Sequence, residues 1–255
     1  MNITSLLESV NRMDSETAHI LDVLGENERY LFRGLTTELE SMRKSLIGEQ
    51  HRIDASRAGY SSEYKAACRL LKGAVRDDLK NAWKNEKGQI CACDGFTGIR
   101  LTDPKYALPL ADKQLINLDK LIDDAAIAAA NVEENAPDYA TLKTYYKTIS
   151  AEFKARFATK SLNTIKDAYN GHLPIFYKFE SNGAYVLIEY LLTAMEIVLD
   201  GKIHTSKSAV QPVYLKGETA EAIALPIRVN IKDEFVKRAD EDSAALRAGT
   251  YFSVA

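Results

Sequence analysis

The spacing of apolar residues changes from helical to alternating at two places in this chain of 255 residues, in the same order each time. From about Ser62 to Lys84, "SSEYKAACRLLKGAVRDDLKNAWK", the residues Tyr64, Ala67, Leu71, Val75 and Ala82 define one face of a helix. The period then drops to two: "GQICACD" and "TGIRLTD" read as short strands around Asp94-Gly95, with "KYALPL" as a third. In the last third, "LPIFYKFE" reads as a strand, Ser181-Asn182-Gly183 as a turn, and "AYVLIEYLLTAMEIVLD" as an apolar helix stopped by Gly201. "KIHTS", "PVYLKG" and "EAIALPIRV" follow as three more strands. A helix followed by up to three strands thus occurs over 62–110 and again over 173–229, with a leading strand clear only in the second copy. Such a duplication predicts a pseudo-symmetric α+β domain with both helices on one side of the sheet.

Outside the two copies the texture is helical. Residues 3–47 contain no proline; Leu6, Val10 and Met13 mark one stripe, Ile20 and Leu24 another, and Leu31, Leu35, Leu39, Met42 and Leu46 fall at heptad-like spacing. Breaks are expected at Asp14-Ser15-Glu16, with Ser15 as a cap, and at Gly25-Glu26-Asn27. This pattern predicts a helical hairpin or small bundle over 1–58 that covers the core or mediates dimerisation, or else a partner-binding arm. The domain proper then runs from 59 to 230, with a helical insertion over about 114–170, broken at "NAPDY". Residues 231–255 form a C-terminal tail, as a terminal helix or loose.

Lys65, Arg69, Lys72, Arg76, Lys80 and Lys84 recur every three or four residues on the first helix, nearly opposite its apolar face. The stripe is either a solvated helix face or a surface for phosphates. A net charge of -3 supplies no global attraction for nucleic acid or acidic membranes, so only a local patch can provide it.

Little in the chain carries enzyme chemistry. The three cysteines cannot all pair, and Cys91 and Cys93 read as reduced, inward-facing strand residues rather than zinc ligands or nucleophiles. His19, His51, His172 and His204 are scattered. "DGFTG" leads into a strand rather than a helix, unlike a phosphate loop. Asp77-Asp78, Asp123-Asp124 and Glu133-Glu134 read as solvated surface. Tyr145, Tyr146, Phe153, Phe157 and Trp83 read as core rather than base-stacking residues. The expectation is a non-enzyme without cofactor or metal. No run approaches the roughly 18 apolar residues of a membrane span, and "MNITSLLESVNRMD" has no signal pattern. A soluble cytoplasmic protein with no membrane partner is expected.

The duplicated strand-helix-three-strand unit resembles the domain of DNA sliding clamps, the processivity factors of replicative polymerases. "GQICACDGFTGIRL" is similar to the family's strand-turn-strand of T-D-G-x-R-L type. "NGAYVLIEYLLTAMEIVLDGKIHTS" resembles the last helix and following strand of a bacterial-type clamp, and "PVYLKGETAEAIALPIRV" its closing hairpin with a P-[MIV]-R-[LV] ending. "APDY" is similar to the family's P-D-Y, though here it opens a helix. The resemblance covers roughly half of the chain. A bacterial clamp chain carries three such domains, whereas this chain holds one, so a ring would require a homo-oligomer or an unrecognised second domain. The second helix also carries Glu189 and Glu196 and no basic residue, unlike one that lines a DNA hole.

The resemblance implies association with duplex DNA or the replication machinery, as in a phage or mobile-element accessory factor. Lys65, Arg69, Lys72, Arg76 and Lys80 would neutralise phosphates, with Phe96 and Thr97 close to the duplex. The alternative is a clamp-like scaffold or antagonist that binds a replication or host protein without DNA. Leu225, Pro226, Ile227 and Arg228 would then lie at the peptide-binding groove.

Overall fold

A computed structural model describes residues 3–24, 26–129, 132–199, 201–230 and 233–252. The chain forms two compact units, one of residues 1–64 and 105–109, the other of 65–104 and 110–255.

The first unit is built on α1 (Ile3–Val23) and α2 (Glu26–Arg57), which pack together as a hairpin. α1 runs unbroken through Asp14-Ser15-Glu16, so Ser15 is an interior residue and not a cap. The other expected break lies between the helices, where Gly25 is outside the described residues. At the far end of α2, Tyr64 donates to the Gly48 carbonyl at 3.1 Å and meets the Tyr106 ring edge-on at 6.0 Å.

The second unit is α+β. The expected long helix from Ser62 stops early: α3 covers Ser61–Lys72 and ends at Gly73. A 3-10 turn (Asp77–Lys80) leads into β1 (Trp83–Lys84), which pairs with β2 (Ile90–Cys93) across a turn. The Asn85 side chain organises that turn by accepting from the Lys87 and Gln89 amides. β3 (Thr97–Leu101) completes the first meander. "KYALPL" adds no full strand; Leu110 makes only an isolated parallel bridge to Ala82.

In the second copy, β4 (Phe176–Lys178) and β5 (Tyr185–Leu187) form a separate hairpin. The start of the expected helix is therefore a strand, and α7 begins only at Ile188 (Ile188–Ile197). Gly201 follows its end, where a Cβ would lie 2.5 Å from a Val198 methyl. β6 (Lys202–His204), β7 (Val213–Lys216) and β8 (Ala220–Ala224) form the second meander.

The two meanders join in one six-stranded antiparallel sheet, ordered β1-β2-β3-β8-β7-β6. Its centre is the β3–β8 pair, with Ile99 opposite Ala222. Three strands from each legible segment thus lie side by side around one pair of residues.

The residues expected to form an insertion supply α4 (Leu118–Ala129), α5 (Tyr139–Arg156) and α6 (Thr159–Asp167). α4 belongs to the core: Leu118, Ile122 and Ala125 bury against Trp83, Cys91, Cys93, Tyr214 and Ile223. α7 packs on β3 and β8. Strand alternation turns Ala92, Ile99 and Ala222 away from the cysteine face, and all of β2 and β3 is buried. Asp138 of "APDY" caps α5, accepting from the Thr141 amide at 2.7 Å. The C-terminal segment is no loose tail: α8 (Glu234–Arg247) packs on β4, and Arg247 donates to the Lys178 carbonyl at 2.7 Å.

Candidate functional site

Because α3 ends at Lys72, the basic stripe is not one helix face. Lys65, Arg69 and Lys72 share α3, Arg76 lies beyond it in extended backbone, and Lys80 ends the 3-10 turn. All five are exposed. Three stand beside carboxylates: Arg69 pairs with Glu196 at 2.6 Å, Lys80 with Asp77 at 2.6 Å, and Arg76 with Asp78. Exposed pairs of this kind stabilise little, yet they cancel the local field that would attract phosphate.

The hairpin tip also faces inward. Asp94 closes the turn by accepting from the Phe96 amide at 2.7 Å and the Thr97 amide at 2.6 Å. Burial pushes its carboxyl above the usual range, partly offset by those amides. Gly95 sits at a φ of 107°, and a Cβ there would come within 2.7 Å of Val75. Phe96 is half-buried and stacks on Tyr190 at 5.1 Å. Thr97 is fully buried, so it cannot reach a duplex. Its place in β3, between two covered faces, is what removes it from the surface.

The residues after β8 do meet other segments. Leu225 donates its amide to Phe96 and Ile227 its amide to Tyr185, both at 2.8 Å. These bonds draw the segment past the β4–β5 hairpin. Gly183, Tyr185, Val210, Pro226, Ile227 and Arg228 line an open cavity of about 280 Å³ there. Leu225, Pro226 and Ile227 are half-buried and Arg228 is exposed, with Leu225 outside the cavity. The Tyr185 hydroxyl donates to Asp240, and Lys178 lies 5.3 Å over the Tyr185 ring while pairing with Asp240 at 3.1 Å. Tyr185 is therefore a fixed wall. Val210, 70 % exposed, offers an apolar lip, and Arg228 offers positive charge beside it.

A second cleft, of about 440 Å³, includes Asn85, Gln114, Asn117, Asp119, Lys120 and Asp123 in its lining. Two of its carboxylates are engaged by Arg100, which reaches Asp119 at 3.2 Å, Asp123 at 2.8 Å and Glu221 at 2.7 Å. Asp123 is thus an ion-pair partner as well as a surface residue. Glu133 and Glu134 likewise have partners: Glu133 pairs with Lys202 at 3.0 Å, and Glu134 accepts from the Glu180 amide at 2.8 Å. Among the described residues no group of three or more His, Cys, Asp or Glu could hold a metal. Burial pushes the Cys91 thiol up to about 12 and the Cys93 thiol up to about 11, so neither is a thiolate at neutral pH.

Sequence reasoning missed one polar cluster. His172, which looked isolated, contacts the Glu189 carboxylate through Nδ1, and Tyr146 donates to the same carboxylate. The His172 ring also meets Tyr190 edge-on at 5.0 Å. No short motif announces this group, because its members come from three separate segments. Burial would raise the Glu189 pKa, but the bonds from His172 and Tyr146 outweigh it and hold the carboxyl below its ordinary 4.5. Its contribution to stability is accordingly present above about pH 4.5 and is lost as pH falls through the lower folded value. Glu189→Gln is expected to flatten the acid limb of stability against pH, read from urea midpoints between about pH 2 and pH 6. An acid limb identical to wild type would refute this assignment.

No family profile, curated protein or solved structure matches the chain. No described helix is long and apolar enough to cross a membrane.

Proposed function

We propose that the chain is a non-enzymatic, clamp-like interaction protein that holds an extended peptide of a replication or host protein in the cavity beside 226–228. The cavity carries this reading: it is walled by the fixed Tyr185 ring, lipped by Val210 and edged by Arg228. Its volume of about 280 Å³ falls at or just below the roughly 300–1,000 Å³ of small-molecule sites, which suits one or two side chains better than a cofactor. The complementary peptide has an apolar residue for Val210, Pro226 and Ile227, and a carboxylate for Arg228. The alignment of two three-stranded meanders about Ile99 and Ala222 supports the clamp-like duplication.

Selection from a displayed library of random peptides tests the reading. Enrichment of an apolar residue next to an acidic one is expected, with affinity lost at least about 10-fold in Ile227→Glu and about 5-fold in Arg228→Ala. Failure to enrich any motif, or equal binding to Ile227→Glu, would sink it.

A second reading, duplex binding, rests on the exposed i, i+4, i+7 stripe of Lys65, Arg69 and Lys72. Three phosphate contacts would give a slope of log affinity against log salt of about -2.7. No duplex affinity at low salt would remove this reading.

A further inference from the structure

The helical hairpin leaves part of its apolar residues open. Val10, Met13, Thr17 and Ile20 in α1 follow a 3-4-3 spacing, and Leu35, Leu39, Met42 and Leu46 in α2 follow 4-3-4. Alternate members have opposite fates. Val10, Thr17 and Leu39 are buried, at 2 %, 5 % and 4 % exposure. Met13, Ile20, Leu35 and Met42 remain open, at 41 %, 44 %, 43 % and 50 %.

Rotation of about 100° per residue places Met13 and Ile20 about 60° and 80° to one side of Val10, and Leu35 and Met42 about 40° and 60° to the same side of Leu39. The connection of two residues makes α1 and α2 antiparallel, so the same sense of rotation on each puts all four on one face of the hairpin. The opposite face carries Asp22, Arg33, Glu40 and Lys44. Glu16 and Glu38 stand further out along the apolar face, at its rim, where they stay solvated.

We infer that this face packs on the same face of a second copy, so that two hairpins form an antiparallel four-helix bundle and the chain is a homodimer. The open residues of each helix recur every seven positions, the period that a helical partner of the same pitch reads. In a bundle, the direction into the core lies between the neighbouring helix and the facing hairpin, about where Met13, Ile20, Leu35 and Met42 point. A two-fold axis sets each face against itself, so one set of apolar residues satisfies both copies. The area suffices: α1 has 21 residues and is therefore about 31 Å long, and two helices present a width of about 20 Å, so the dimer buries about 1,200 Å² in total, at the lower bound of stable specific interfaces.

The test is the solution mass of the full chain by light scattering. At about 10 µM, twice the chain mass of 28.4 kDa is expected. Met13→Glu with Met42→Glu changes side chains that are exposed within one copy, so helix content should persist in circular dichroism. The doubly changed chain should be monomeric, its dimer dissociation constant raised at least about 100-fold by burying unpaired carboxylates. Lys44→Glu, on the opposite face, should leave the dimer intact. A wild-type monomer up to about 100 µM, a trimer or hexamer, a dimer that survives the double change, or equal dissociation by Lys44→Glu would each overturn the inference.

Discussion

Arg100→Met is expected to lower the unfolding free energy by about 3–5 kcal/mol. The Arg100 side chain is only 7 % exposed, and it faces Asp119, Asp123 and Glu221. Burial opposes its charge, but the three carboxylates outweigh burial and hold its proton more tightly than in an ordinary guanidinium. Removing it leaves two mostly buried carboxylates, those of Asp119 and Glu221, without the cation that compensates them. Arg100→Lys should recover only part of the loss, because one ammonium cannot replace a planar fork bonded to carboxylates from β8 and two turns of α4. Urea denaturation followed by circular dichroism measures both variants. A loss below about 1 kcal/mol in Arg100→Met would mean that this network is not the clasp between α4 and the sheet.

Trp83→Ala is expected to cost about 3–5 kcal/mol as well, through a cavity rather than a stranded charge. Trp83 is fully buried beside Leu79, Cys91, Leu118 and Ile122, where β1, β2 and α4 meet. Its indole N–H has no hydrogen-bond partner among the described residues. Trp83→Phe should therefore lose little, on the order of 1 kcal/mol, since it keeps most of the apolar volume and deletes an unsatisfied donor. Thermal unfolding compares the variants, and a Phe variant as unstable as the Ala variant would contradict this packing account. Trp83 is also the only tryptophan, so its emission reports this junction alone: blue-shifted when folded, and moving to the red when the sheet and α4 part.

Both residues show why part of the molecule was hard to read from sequence. Trp83 lies at the end of a run with helical spacing, and that run continues past Gly73 on pattern alone. What converts its end to a strand is pairing with Cys91, eight residues on, across a turn organised by one asparagine side chain. Tyr185–Leu187 poses the same difficulty: an unbroken apolar run suits a buried helix and a buried strand equally, and only the partner β4 decides. Arg100 sits between Ile99 and Leu101 with nothing nearby in sequence to mark it, because its carboxylates come from α4 and β8. The His172, Glu189 and Tyr146 group was hidden for the same reason.

The candidate site divides along this line. The stretch 225–228 was legible as a place to watch, and it borders the cavity because its backbone bonds to Phe96 and Tyr185. The basic stripe was legible as a period but not as a surface. Gly73 ends the helix, and Asp77, Asp78 and Glu196 stand beside three of the five cations expected to meet phosphates.

By itself, the sequence determined what depends on near neighbours: the helical hairpin, the alternating segments of β2, β3 and β6 to β8, the helix that opens at "APDY" and the inward cysteines. Residue spacing and local hydrogen bonding are sufficient causes for those. Tertiary structure alone decided which side of the sheet α4 covers, that Tyr185–Leu187 is a strand, that Thr97 is sealed in and that Arg100 is a clasp. Each of those depends on a partner far along the chain, and a buried charge or a buried strand is stable only when that partner is in place.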